Sequence, residues 1–340
     1  NRTSATNTGS DSNTADTRGT ICMKAPTMTG GELYLIANAN AYTVNISPEL
    51  LGSVQTKQDF LNLTAQLNGE TMTRYGYFPM IAEVNNIIVT QNTIKTGTSN
   101  VTAQLSRLDA KVDVNVTAAV GATSKFKDID IKVIEFTPLS WQIRNVPMGA
   151  YIVSGSNSYH SFFNSEEYNF ESKTATTYNG TATERHSFSF YALENKHTAT
   201  TANYNQRELR KKDGNGKYLY PLPENESDEK DIWQYAPKDA TYMILKGTLL
   251  MEPVTPQPDV KQVAADVTYY IHMGDFNTSN SDYSIRRNTH YTYNVTLKGA
   301  NKIEVEVIGG EENQSGATGD IYATQEIIWQ FDAHYEQFAQ

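Results

Sequence analysis

The chain has 340 residues, 39% hydrophobic and 19% charged, which is room for one large or two ordinary domains. A formal net charge of -10 excludes the basic footprint that phosphate binding needs, so a nucleic-acid partner is not expected. The single cysteine, Cys22, excludes an intrachain disulfide framework, and no run approaches the ~18 consecutive apolar residues of a membrane span.

Residues 1–19, NRTSATNTGSDSNTADTRG, hold no large apolar side chain and read as a disordered N-terminal tail in which Arg18 is open to a trypsin-like protease. ELYLIANA (32–39) reads as a short apolar strand. Residues 47–67 are the one helical region: Ser47 is placed to cap, Pro48 fits the first helical position, and Glu49 lies at the positive end of the dipole. Thr56 with Asp59 begins a second capping box, so two short helices are expected. Strands follow at 81–90, 105–120 and 126–136. In the second of these Val112, Val114 and Val116 alternate with Lys111, Asp113 and Asn115.

Pro147 stands where a strand should stop. With the polar stretch 154–185 it sets the expected domain boundary, giving an N-terminal domain over 20–145 and a C-terminal one over 146–340. Strands resume at 186–195, 240–251, 265–273, 288–299 and 302–309. Between them RELRKK and PENESDEKD set a basic run beside an acidic one, read as two solvated loop faces. The stretch RRNTHYTYNVTLKG (286–299) reads as a half-buried strand with Tyr291, Tyr293, Val295 and Leu297 on one face, and Arg286 and Arg287 at the turn before it. The expected class is therefore all-β, two domains with a short helical excursion in the first.

No constellation announces catalysis. The six histidines are scattered without metal-ligand spacing, and Cys22 lies beside the tail. Ser124-Lys-Phe-Lys127 and Lys95-Thr96-Gly97 mimic serine-acylase motifs in the wrong order. Asp213-Gly-Asn215-Gly resembles the start of a calcium loop but carries Lys217 at a ligand position and reads as a turn, and Glu166-Glu167 sits in a polar loop where a raised pKa would need burial. Neither catalytic residues, nor a cofactor, nor a metal site are expected, and the chain is read as a non-enzyme.

The series GELYLIAN (31–38), YFPMIAEV (77–84), SRLDAKVDVNV (106–116), IRNVP (143–147), FSFYALEN (188–195), RRNTHYTYNVTLKG (286–299) and WQFDAHYE (329–336) resembles, in order, the fimbrillin superfamily of Bacteroidales. The resemblance runs from about residue 20 to the end. It implies two transthyretin-like β-sandwich domains and export as a lipoprotein through the outer membrane to the cell surface. It also implies trimming by an arginine-specific protease and polymerisation by strand exchange into a fimbrium. The implied partners are other fimbrial subunits, in a homo- or hetero-polymer, and a ligand on a host or bacterial surface. Arg18 becomes the candidate processing arginine. No signal peptide precedes Asn1, so the chain reads as a mature or trimmed form whose lipid anchor, the one implied link to a membrane, is removed or absent.

The final stretch supplies a physical counterpart. In the terminal strand expected over 321–338, Ile327, Trp329, Phe331 and Ala333 alternate with Glu326, Ile328, Gln330 and Asp332 and give an apolar face suited to a groove in a neighbour. These four are candidate donor-strand residues; the alternative, the last strand of the chain's own domain, stays open. A competing function is a stand-alone surface glycan-binding lipoprotein. It would need the abundant tyrosines to form an exposed stacking platform, whereas their alternating strand positions make burial the default.

Overall fold

The computed structural model describes residues 28–89, 103–126, 128–155, 159–199, 204–219, 232–258, 260–275, 279–309, 320–321 and 327–330. In chain order these form β1 (Met28–Ala37), β2 (Val44–Asn45), α1 (Pro48–Ser53), α2 (Lys57–Leu61), β3 (Thr64–Leu67), β4 (Met80–Val89), β5 (Ser106–Arg107), β6 (Asp109–Ala118), β7 (Thr123–Phe126) and β8 (Ile129–Arg144). Then come β9 (Val146–Pro147), β10 (Gly149–Tyr151), β11 (Phe162–Phe163), β12 (Ser172–Tyr178), β13 (Thr181–Leu193), β14 (Tyr242–Pro253), β15 (Val263–His272), β16 (His290–Gly299), β17 (Lys302–Gly309), β18 (Asp320–Ile321) and β19 (Ile327–Gln330).

The all-β expectation holds, and the architecture is a sandwich. One sheet has the order β12-β13-β6-β16-β17-β18 and the other β19-β15-β14-β8-β7. Neighbours pair antiparallel except β6 and β16, which run parallel with Val112 opposite Tyr291 and Val116 opposite Val295. Alternation decides which side chains meet between the sheets. Val112, Val114 and Val116 are fully buried, as are Tyr293 and Leu297, while their strand neighbours Lys111, Asp113 and Asn115 are only half-buried. Trp141 of β8 stacks on Phe188 of β13 at 4.2 Å and 9°, and Tyr269 of β15 donates to the carbonyl of Gly299 at 2.9 Å, so the sheets are joined by rings and by a hydrogen bond. Full burial of each such side chain contributes about 1.5–3 kcal/mol before ordering costs.

The expected division at residue 145 is corrected by the strand pairing. β6, assigned by that division to the first domain, lies between β13 and β16, and β8 runs beside β14 from Arg144 opposite Tyr242 to Ile131 opposite Pro253. Alternation specifies which face of a strand is buried but not which strand lies alongside, so the pattern could not reveal that both halves share two sheets. Pro147 does end a strand, β9, but that strand pairs with β11 and no domain linker starts there. The chain divides differently: residues 1–37 and 80–106 make one unit, and residues 38–79 with 107–340 the other. The first unit contains the antiparallel ribbon of β1 and β4, with Leu33 opposite Val84 and Leu35 opposite Ala82.

The helical excursion is two short helices, as the caps required. The Ser47 hydroxyl accepts from the Leu50 amide with Pro48 in the first turn, and Thr56 and Asp59 form a full capping box. The expected helical region ends sooner than residue 67, because Thr64–Leu67 is a strand pairing β2 and β10. Gly149 permits this approach: a Cβ there would stand 2.7 Å from the Ala65 carbonyl oxygen and 2.7 Å from the Tyr159 ring.

Candidate functional site

Two regions of the five-stranded sheet set what the molecule can do, and both involve β15. The first lies on the outer face of β14 and β15, where the segment after β13 returns to build a second layer. Tyr242, Ile244 and Tyr270 are buried there with Trp233, Ala236 and Tyr283. Inside this layer Arg207 and Glu208 are both fully buried. Glu208 accepts the His272 amide at 2.8 Å, and its second carboxylate oxygen pairs with His272 Nδ1. Arg207 donates to the carbonyls of Asn280 (2.6 Å) and Met273 (3.0 Å), and its guanidinium lies 3.9 Å over the Tyr283 ring. Trp233 meets the His272 ring edge-on at 4.6 Å.

Burial lowers the pKa of Arg207, opposed by Tyr283 and Glu208. It raises that of Tyr293, whose hydroxyl donates to the Gly274 carbonyl and accepts from its amide. The donors of Arg207 and Tyr293 serve main-chain carbonyls, and with the Glu208–His272 contacts they fasten the layer to the sheet. The reading of RELRKK as a solvated face is thereby corrected for Arg207, Glu208 and Arg210, the last only 2% exposed. The signal was in the strands they cover: Tyr242-Met243-Ile244-Leu245 and Tyr269-Tyr270-Ile271-His272 do not alternate, as befits strands buried on both faces.

The second region is the edge of the same sheet. β19 pairs antiparallel with the first half of β15 through four residue pairs, from Ala264 opposite Gln330 to Val267 opposite Ile327. A few residues earlier β18 pairs with β17, Ile321 opposite Ile303, at the edge of the other sheet. The terminal stretch therefore touches an edge strand of each sheet. Of the candidate donor-strand residues, Ile327 and Trp329 lie in β19; Phe331, Ala333 and the candidate processing residue Arg18 lie outside the described residues.

A domain family of unknown function, DUF4906, matches residues 190–295. That span runs from the end of β13 into β16 and contains the whole Arg207–Glu208–His272 cluster. Among solved structures, a putative cell adhesion protein from Parabacteroides distasonis is similar at 16% identity and a TM-score of 0.45, covering 87% of this chain and 80% of that one. The tip fimbrial protein Mfa3 from Porphyromonas gingivalis is similar at 17% identity and a TM-score of 0.39, covering 79% and 78%. A putative cell adhesion protein from Bacteroides eggerthii is similar at 15% identity and a TM-score of 0.38, covering 82% and 77%. A comparison with curated proteins finds no match.

The remaining sequence candidates fall in structural roles. Arg287 donates to the carbonyls of Tyr151 (2.7 Å) and Ile152 (2.6 Å) and to Glu194 (2.8 Å), and Arg286 pairs with Asp282 at 2.6 Å, so the paired arginines stitch loops to the sandwich. Asp213 accepts the amides of Asn215 and Lys217 at 2.8 and 2.9 Å, a turn built on its own side chain. Glu167 is held below its usual pKa, first by its hydrogen bond with Lys246, the opposite of a raised general acid. Among the described residues no group of three or more His, Cys, Asp or Glu could hold a metal ion, and no helix is long and apolar enough to cross a membrane.

Proposed function

We propose that this chain is an adhesive structural subunit of a cell-surface fimbria, exported through the outer membrane, that joins neighbouring subunits by exchange of an edge strand and carries no catalytic chemistry. The observation that carries the reading is the placement of β19: the last described strand is an outermost strand, held to β15 by four residue pairs. Ordering four residues costs about 1–2 kcal/mol each, and each backbone hydrogen bond returns about 1 kcal/mol net. Backbone pairing of such a strand at best offsets its ordering, so an equivalent strand from another subunit can replace it. The motif series running from 31–38 to 329–336 supplies the family context, and Arg18 is the arginine whose cleavage would start assembly.

The test is to incubate the purified chain with and without an arginine-specific protease and follow assembly by non-denaturing electrophoresis and electron microscopy. Ladders or filaments that require residues 321–340 support the reading; a monomer under both conditions refutes the exchange step.

A further inference from the structure

The two sheets of the sandwich end in four outermost strands, and these are not equally defended. β18 is two residues long, β7 and β19 four each, and β12 seven. An outermost strand shows a row of unpaired main-chain groups, which proteins blunt by shortness, proline, a bulge or an outward lysine. β12, Ser172-Lys-Thr-Ala-Thr-Thr-Tyr178, is long, rich in threonine and free of proline. Its one lysine is turned aside, with Lys173 Nζ pairing with Glu184 of β13 at 2.6 Å. The strand is also regular: it pairs with β13 from Ser172 opposite Ser187 to Tyr178 opposite Thr181 with no shift of register. The hairpin closes on Asn179 and Gly180, at φ +46° and +80°, the tight turn whose twist matches that of the strands it joins.

The hydrogen-bond phase fixes which groups of β12 face outward. The Glu171 amide donates to the Ser187 carbonyl, and the Tyr191 amide donates to the Met72 carbonyl, both at 2.9 Å. Odd-numbered residues of β13 therefore turn their main-chain groups away from β6 and toward β12. Antiparallel pairs alternate between bonded and non-bonded, so Ser172, Thr174, Thr176 and Tyr178 are the residues bonded to β13. The amides and carbonyls of Lys173, Ala175 and Thr177 then face away from β13, on a side where no strand follows among the described residues. These three residues are exposed, as are Ser172 and Thr174.

A strand added to this edge needs a register that both sets of side chains permit, and β12 meets that condition with itself. Two copies placed antiparallel about Ala175 set Ser172 opposite Tyr178, Lys173 opposite Thr177 and Thr174 opposite Thr176. The whole strand pairs and no like charges stand opposite. The other outward residues make worse centres: Lys173 would face its own copy, and centring on Thr177 leaves only Thr176 to Tyr178 to pair within the strand. The hairpin is also neutral in a chain of net charge -10, since Glu171 and Glu184 balance Lys173 and Arg185, so two copies meet here without net repulsion. We infer that β12 is a self-association edge, through which two copies of this chain join their six-stranded sheets about a twofold axis into one continuous sheet. The inference goes beyond the proposed function and does not rest on it: it uses neither the terminal stretch nor a protease, and it gives a closed contact between two copies where strand exchange gives an open chain.

The test is sedimentation equilibrium of the purified full chain, untreated with protease, over ~1–100 μM, where a contact of small area associates. It is repeated with Ala175→Lys, with Ala175→Glu, with an equimolar mixture of the two, and with the parent in the presence of excess synthetic peptide of residues 321–340. The expected result is reversible association of the parent to two chains, with or without the peptide. Each variant alone should stay single at every concentration, because its new charge faces the same charge across the axis, and the mixture should recover the association by setting lysine opposite glutamate. A parent that stays single throughout, variants that each associate like the parent, or a mixture that stays single overturns the inference. Association that the peptide dissolves and Ala175→Lys keeps belongs to strand exchange, and that overturns it too.

Discussion

The two halves of β15 differ in what holds their neighbours, and the proposed function makes one contact permanent and the other replaceable. Its second half, Tyr269 to His272, is buried on both faces and fastened by Glu208 and the rings of Trp233, Tyr242 and Tyr283. Its first half, Ala264 to Val267, pairs on its outer side with the four residues of β19. The difference lies in what must be broken. Releasing the covering layer would strand charges and peptide groups in an apolar setting, whereas releasing β19 exposes main-chain groups that another strand can satisfy. The covering layer is fixed by desolvated charge, whereas β19 meets β15 through backbone pairing, the contact that the proposed function makes exchangeable.

The largest effect should come from breaking the permanent half. Glu208→Ala leaves His272 and its amide buried beside Arg207 without the carboxylate, and unfolding in denaturant should show a loss of about 3–5 kcal/mol. A loss under about 1 kcal/mol would mean the cluster does not fasten the layer. Removing residues 321–340 acts on the replaceable half and should cost less than about 2 kcal/mol on the same measurement, because hydrogen bonding and ordering nearly offset each other. Hydrogen exchange sharpens the contrast within one strand. Amides at 269–272 should exchange only through global unfolding, and those that β15 shares with β19 through local opening at far lower free energy. Equal protection in both halves would remove the distinction.

The smallest expected effect is a pH dependence of the covering layer. His197 lies in it, its carbonyl accepting the Tyr283 amide at 2.9 Å, and burial pushes its imidazole pKa down, partly opposed by Asp239. A base with a depressed folded pKa binds its proton more readily when unfolded. Its contribution is therefore fully present above the ordinary imidazole value of 6.5 and is lost as pH falls through the folded value. Stability measured by denaturant titration should decline below about pH 6.5, and His197→Gln should flatten that decline.

Local rules were the most legible part of this chain. The alternation of β6 and β16, the capping box at Thr56 and the helix start at Pro48 are written in a few adjacent residues each, and the structure realises them. What a short window cannot carry is which elements meet. The pairing of β6 with β16 joins residues about 180 positions apart, and nothing in either strand names its neighbour, so a boundary drawn from Pro147 cut through one sandwich. Arg207 and Glu208 looked solvated because a charge run is ordinarily a wet face; their burial follows from strands that lack alternation far along the chain. The exposed Tyr75 and Tyr77 break the opposite assumption, that tyrosines in a strand-rich chain turn inward. That holds for Tyr291 and Tyr293 on β16 and fails on a loop, where no second sheet waits to cover the ring.

The most direct test of the central claim is transfer of the terminal strand between copies. A chain lacking residues 321–340 is mixed with a synthetic peptide of those residues bearing a fluorophore, and binding is followed by anisotropy. Stable capture of the peptide, blocked by a proline at Ala265 that removes a ladder amide from β15, is the result strand exchange predicts. A truncated chain that leaves the peptide free, while keeping a cooperative unfolding transition, would contradict it.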